Sequence, residues 1–367
     1  MTGYWSTILN QRIARRRALA ATGSTAAAAA LLAACGGGES GGGGADKSSL
    51  VVLPVDTTKQ AKRGGIIKDR HTADPANLDI VNPVAPLNRP AQQAYSTLLR
   101  QKPGYLGPSN LALDPDVAES WEWSSDGLQI TMKLRQGVKW HNKAPVNGRV
   151  LDVDDVLFSW NRYAAKATLR PLFVNAVNPD APVLSVTAPD SRTIVVKLKE
   201  PLVYAPEIFA SYGSFSGNVI MVPKETDTTF DIRREMIGTG PFLMADYTPS
   251  VGFTMKRNPE YFDKDFALVD QVDLPIVSIY AAALAQFKAG NIHYFAVNPE
   301  EVLAIKREEP RLQIYPTDLA PNTESISFGW LPEGKSPFLD ERVRQAFSMS
   351  WDRDVWIDAF FNVSNFR

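Results

Sequence analysis

The stretch Ala118–Trp160, AESWEWSSDGLQITMKLRQGVKWHNKAPVNGRVLDVDDVLFSW, decides the fold. From Leu128 to Leu134 the apolar residues Leu128, Ile130, Met132 and Leu134 alternate with Gln129, Thr131 and Lys133. That period of two is the mark of a strand with one buried face. Ser125, Asp126 and Gly127 supply a turn before it, and Trp121 and Trp123 lie two apart on the preceding strand, so they share a face and pair across the hairpin or pack beneath it. Gly137 ends the ladder. Asp152 stands where an N-cap is needed and Asp155 follows three residues later, which predicts a capping box and a helix starting near Val153. Val153, Val156, Leu157, Trp160 and Ala164 recur at helical spacing and form its apolar stripe. By pattern alone the stretch is a small α+β unit.

The bulk of the chain bounds what this unit belongs to. At 367 residues it is too long for one ordinary core and predicts two or more domains. Its 39 lysines and arginines against 40 acidic residues leave a net charge of -1, which argues against nucleic acid, since such binding needs a cationic surplus or face. One cysteine excludes an intramolecular disulfide and a thiolate metal cluster. His71, His141 and His293 are far apart and show no ligand spacing, so no metal and no cofactor is expected.

The first residues are an address. Four arginines in Arg12–Arg17 precede the small apolar run ALAATGSTAAAAALLAA, which ends at Cys35. A positive region followed by an apolar region and a small-residue cleavage site is the layout of an export signal. The run is too short and alanine-rich for a membrane span of about 20 apolar residues. Leu32-Ala33-Ala34-Cys35 resembles a bacterial lipobox, in which the cysteine is acylated, and Arg16-Arg17 resembles a twin-arginine signal. Gly36–Ala45 is a glycine linker suited to holding a folded domain off a membrane. Residues 1–35 are therefore expected to be a signal peptide with Cys35 as the lipidation site, and 36–62 a flexible linker.

Within the opening stretch, Ala118-Glu119-Ser120-Trp121, Asp126-Gly127, Leu134-Arg135, Gly137-Val138-Lys139-Trp140-His141 and Asp155-Val156-Leu157-Phe158-Ser159 stand in one order. This ordered set resembles the signature of the family 5 extracytoplasmic solute-binding proteins, the oligopeptide and dipeptide receptors of ABC importers. Asn142-Lys143 replaces the family's usual Asp-Gly, a departure expected to alter only a surface turn. The resemblance continues along the chain. Lys62–Lys68 is similar to the family's first strand, His71–Asp79 to the loop after it, Ala91–Arg100 to a helix, and Val183–Lys199 to a second hairpin turning at Pro189-Asp190-Ser191. Gly238-Thr239-Gly240-Pro241-Phe242 fails as a phosphate cradle, because Pro241 lacks an N–H and no Lys-Ser or Lys-Thr follows; it matches a structural turn of the family. Lys256–Phe262, Ala281–Tyr294, Pro337–Phe347 and Trp351–Asp354 match further motifs, with His293 where the family usually has aspartate. A short strand is expected at Ser325–Phe328, and Asp340 and Asp352 are placed as N-caps.

The resemblance implies an α/β fold of two-lobed, type II periplasmic-binding-protein architecture with an inserted α+β subdomain. Residues 63–84 and 171–296 would form the first lobe, 85–170 the insert, and 297–367 the start of a second lobe that is incomplete, a C-terminal truncation. It implies an extracytoplasmic, membrane-anchored lipoprotein that captures peptides and delivers them to the permease of an ABC transporter. A monomer is expected. Ligand contacts are sought at Asp74, Asn77 and Leu78 in the loop after the first strand, and at Tyr212 and Phe215 beside glycines; Asp74 and Asn77 equally suit turn amides, and the two aromatics equally suit a core. In peptide-binding members the aspartate that holds the ligand's amino group lies beyond the residues present, so none inherits that role. Oligosaccharide, nickel complex or haem are alternative ligands within the family. A lipid-anchored hydrolase is the alternative from another class, but neither G-x-S-x-G nor H-E-x-x-H occurs, and no enzyme is expected.

Overall fold

A computed structural model describes residues 50–81, 85–104, 106, 109–110, 112–210, 219–315, 326–329 and 334–361. In chain order its strands and helices are β1 (Ile66–Lys68), α1 (Ala85–Ala94), β2 (Leu99–Gln101), β3 (Leu113–Pro115), β4 (Ala118–Trp123), β5 (Gln129–Leu134), α2 (Val153–Lys166), α3 (Arg170–Phe173), β6 (Val183–Asp190), β7 (Thr193–Leu198), β8 (Phe242–Thr248), β9 (Gly252–Arg257), β10 (Gln271–Pro275), α4 (Tyr280–Lys288), α5 (Val302–Glu308), α6 (Glu341–Met349) and α7 (Arg353–Phe361). They build two four-stranded sheets, ordered β1-β10-β9-β8 and β4-β5-β7-β6, and the ribbon β2-β3. Every pairing between these strands is antiparallel except β1 with β10.

The hairpin β4-β5 forms as its alternation predicts. Ile130, Met132 and Leu134 are buried, and Trp121 pairs with Met132 and Trp123 with Ile130. Burying side chains of this size contributes about 1.5–3 kcal/mol each. Trp121 packs against the core, but Trp123, near the strand end, stays 38% exposed. The second hairpin does not go to a separate body. β7 pairs with β5 from Gln129↔Lys197 to Lys133↔Thr193, so one continuous sheet crosses the boundary drawn at residue 170. Its strand β6 runs through Asp190, and the turn falls at Ser191-Arg192, where the Asp190 carboxylate accepts from Arg192 N at 2.8 Å and Thr193 Oγ1 at 2.7 Å. The helix expected over Ala91–Arg100 ends at Ala94; Leu98 is buried in the core and β2 starts at the buried Leu99. No strand forms over Ile326–Phe328.

α2 begins where the capping residues dictate. Asp152 Oδ1 accepts from Asp155 N and Asp155 Oδ2 accepts from Asp152 N, both at 3.1 Å. The buried face, however, is Asp155, Val156, Ser159, Trp160, Arg162 and Tyr163, rotated away from the purely apolar stripe. The cause is a polar network. Asp155, fully buried, also accepts from Trp140 Nε1 at 3.1 Å, from Arg149 at 2.7 and 2.6 Å and from Lys224 N at 3.0 Å. Arg162 reaches both Asp79 and Asp227. A buried carboxylate is tolerated only with such a full set of donors.

His141 and the Gly238–Gly240 turn lock the two main sheets' neighbourhoods together. His141 Nδ1 accepts from Gly238 N at 3.2 Å, so Nε2 carries the proton and donates to the Gly240 carbonyl at 3.2 Å. Burial keeps this imidazole neutral, its pKa lowered to about 4. Gly240 N donates to the Ala94 carbonyl at 2.9 Å, and a Cβ at Gly238 would lie 1.9 Å from that carbonyl oxygen. Only glycine admits this approach. Lys143, one of the two departures from the expected Asp-Gly, is more than a surface turn: its Nζ pairs with Glu235 and donates to the Met244 carbonyl at 2.7 Å.

Candidate functional site

In open sheets with parallel strands, ligands settle outside the carboxyl ends of those strands. Here that edge is the end of β1 and β10. Asp69 N donates to the Asp273 carbonyl at 2.9 Å, His71 N to Pro275 at 2.8 Å, and Val277 N to His71 at 2.9 Å, while Asp69 also bridges in parallel to Tyr294. The backbone of 69–71 is thereby pinned between 273–277 and 293–294. Rigid backbone at this place sets the side chains that leave it.

Two arginines and four aromatic rings converge there. Arg70 donates from Nε to the Val277 carbonyl at 2.7 Å and from a terminal nitrogen to Ser278 at 3.0 Å, with its guanidinium 5.3 Å from the Phe295 ring centre. Phe295 meets Tyr280 at 5.3 Å and Phe287 at 5.8 Å. Tyr280 Oη accepts from Asn298 N at 3.0 Å and donates to Glu301. Arg89, from α1, pairs with the Asp69 carboxylate and lies 5.9 Å from the ring centre of Tyr294, which is 60% exposed. Behind this edge, a cavity of about 330 Å3 is bounded by Phe287, Tyr294, Phe295, Ile305, Ile314 and Tyr315 among others. A larger cavity of about 470 Å3 lies along α6 and α7, lined by Phe347, Trp351 and Trp356, remote in sequence from the parallel strand ends.

Of the expected contacts, Asp74, Asn77 and Leu78 fall beside this edge. Asp74 accepts from Ser250 N at 2.9 Å, Ser250 Oγ at 3.2 Å and Tyr247 Oη at 2.9 Å; the backbone donor first, then the tyrosine, lower its pKa. It thus caps the β8-β9 turn. Tyr247 stacks on Phe253 at 4.1 Å, and Phe253 meets the buried His71 edge-on at 5.3 Å. Asn77 Oδ1 accepts from Asp79 N at 2.9 Å in an Asx turn, and Leu78 is a core residue, 2% exposed. Tyr212, Phe215 and Cys35 lie outside the described residues. Asp69, Arg70, Arg89, Tyr280, Tyr294 and Phe295 went unnoticed in the sequence. A signal was present in Lys68-Asp69-Arg70-His71, a run of charge at the end of a predicted strand, but Arg89 and Tyr294 reach it from far along the chain.

Among the described residues no cluster of three or more metal-ligating side chains occurs, and no helix is long and apolar enough to cross a membrane. Two histidines are used by the backbone: His141 as above, and His293, whose Nδ1 accepts from Lys68 N at 3.2 Å.

Comparison with known proteins places this architecture. Haem-binding protein A of Haemophilus influenzae is 29% identical over 288 residues, which cover 75% of this chain and 50% of that protein. The dipeptide-binding protein DppE of Bacillus subtilis is 25% identical, covering 66% and 44%. Among solved structures, the ABC transporter-associated periplasmic binding protein DppA of Helicobacter pylori, in complex with the peptide STSA, aligns at TM-score 0.56 and 20% identity, covering 69% of this chain and 50% of that one. The fold is that of the two-lobed periplasmic binding proteins, and the chain spans about half the length of the curated relatives it matches. The sequence model of the bacterial extracellular solute-binding proteins, family 5 (middle region), matches residues 112–364, and the chain belongs to that family.

Proposed function

We propose that this protein captures peptides outside the cytoplasm and delivers them to the permease of an ABC transporter, without chemistry of its own. Family membership carries the reading, supported by the dipeptide- and peptide-binding relatives. The edge at β1 and β10 supplies what such a receptor needs on its first lobe: pinned backbone, exposed aromatic surface and a cation. In this reading a second lobe closes over the ligand by hinge motion, the closed state being stabilised only by contacts that bridge both lobes. Cys35 carries a lipid that holds a monomeric receptor at the membrane surface, and the glycine-rich linker gives it reach. In this reading the insert extends past the expected boundary at residue 170 to Leu198, which keeps β4, β5, β6 and β7 together in one sheet.

The haem-binding relative favours haem as a second reading. Thermal unfolding of the full-length protein separates the two. Di- to pentapeptides raise the melting temperature, by about 2.7 kcal/mol of stabilisation at a hundredfold excess over Kd, while haem and simple sugars leave it unchanged. A shift with haem alone refutes the peptide reading.

A further inference from the structure

The chain that leads into β1 is seated on the chain that leaves α5. Val52 N donates to the Ile314 carbonyl at 2.8 Å, and Val51 bridges Ile314 in parallel. The two sides of this contact are held unequally. Up to Leu312 the outgoing chain is fixed to α5, since Lys306 Nζ donates to the Pro310 carbonyl at 2.7 Å and to the Leu312 carbonyl, and Leu312 N donates to the Glu309 carbonyl at 3.0 Å. At Ile314 the partner is the incoming segment. That segment has no buried anchor: none of residues 50–70 is buried, and Leu53 and Val55 are 72% and 76% exposed. A contact made by backbone pairing without side-chain burial opens more readily than the core it lies on. One such hydrogen bond shifts an equilibrium by about two- to tenfold.

Ile314 is also a wall of the cavity of about 330 Å3 behind the β1 and β10 edge, together with Leu312, Ile305, Phe287 and Phe295. Phe295 in turn packs under the Arg70 guanidinium at 5.3 Å, and Tyr294 bounds the cavity as well as the edge. Holding Ile314 in place therefore keeps the aromatic side of the edge packed from behind. We infer that residues 50–52 are a strap: seated on Ile314, they shut the cavity and preorganise the edge, and released, they let its Ile314 side open. Because the strap follows the glycine-rich linker, it couples the tether to the edge. The consequence for ligand binding rests on the reading of the protein as a receptor; the strap itself does not.

Hydrogen exchange, dye binding and isothermal titration of the full-length protein test it. The Val52 amide exchanges at least about tenfold more slowly than the amides of the linker glycines. Val52→Pro removes the donor N–H at a position that buries nothing, and Val52→Ala, which keeps the N–H, is its control. Val52→Pro raises the fluorescence of the apolar dye 1-anilinonaphthalene-8-sulfonate above the wild-type value. It also weakens the binding of tri- and pentapeptides by about two- to tenfold, because the competent fraction falls. Val52→Ala does neither. Adding a disulfide between Val51→Cys and Ile314→Cys to the Val52→Pro chain, with Cys35→Ser to prevent mispairing, restores both readings. A Val52 amide that exchanges as fast as the linker glycines, or dye binding unchanged by Val52→Pro, overturns the strap. Raised dye binding with unchanged peptide affinity overturns its coupling to the edge. Binding of no peptide by the wild type overturns the receptor reading and the coupling with it, while exchange and dye binding still decide the strap.

Discussion

α2 and α6 begin from the same local instruction and end in different environments. Asp152 caps α2, and Asp340 caps α6 by accepting from Arg342 N at 2.9 Å; each helix then carries an apolar run at helical spacing. α2 buries six residues, polar ones among them, whereas α6 buries none and leaves Val343 at 37%, Phe347 at 41% and Met349 at 67% exposure. Beyond Ile305, Ser336 is the one buried residue among those described. Capping and periodicity thus suffice to start a helix. Burial additionally requires partner elements, which for α2 are β6, Trp140, Arg149 and the 222–227 segment.

The sharpest way to break that contrast is at Asp155. Asp155→Ala strips the partner from Trp140, Arg149 and two backbone N–H groups, and urea unfolding should show a loss of about 3–5 kcal/mol. Gly238→Ala comes next. Its Cβ has no room beside the Ala94 carbonyl, so a loss of about 3 kcal/mol is expected, with the melting temperature lowered even though no polar group is removed.

Two buried titratable groups make the packed region respond to pH in opposite directions. His141 has its pKa lowered from 6.5 to about 4 by burial, so between those values the unfolded chain holds more protons and stability falls as the pH falls. Asp116 has its pKa raised from 3.8 to about 7, again by burial, so its contribution is full at low pH and is lost as the pH rises through 7. Each effect is on the order of 3 kcal/mol, and between pH 4 and 6.5 they offset. Asp116→Asn removes one of them. Its unfolding free energy should drop steeply on acidification from pH 6.5 to 4, where the wild type stays nearly flat; an unchanged profile refutes the opposition.

The smallest effect belongs to the uncovered region. Met349→Ser or Val355→Ser, at side chains 67% and 65% exposed, should shift stability by less than about 0.5 kcal/mol. The same exchange at Met132, on the buried face of β5, should cost several times more.

Helix starts, turn residues and the alternation of β5 were legible in the sequence because each depends on neighbours a few residues away. Asp152 with Asp155, Asp340, Asp352 as the acceptor for Val355 N at 3.1 Å, and the glycines of the 238–240 turn all act as read. Family membership was legible for a related reason, since those local signals stand in a fixed order. Three things were not legible. The pairing of β5 with β7 joins residues about sixty apart, and no local pattern distinguishes it from two separate hairpins. The rotation of α2 follows from charged partners at Arg149, Asp79 and Asp227, which make its polar side chains the ones to bury. The neighbours of the loop at Asp74 were not legible either: Arg89 and Tyr294 come to the end of β1 through α1 and through the parallel bridge to Asp69. The sequence by itself determined where the capped helices and the first hairpin start and which family the chain belongs to; the tertiary structure decided where other elements end and which faces are covered, because burial and charge pairing are set by groups distant in the chain.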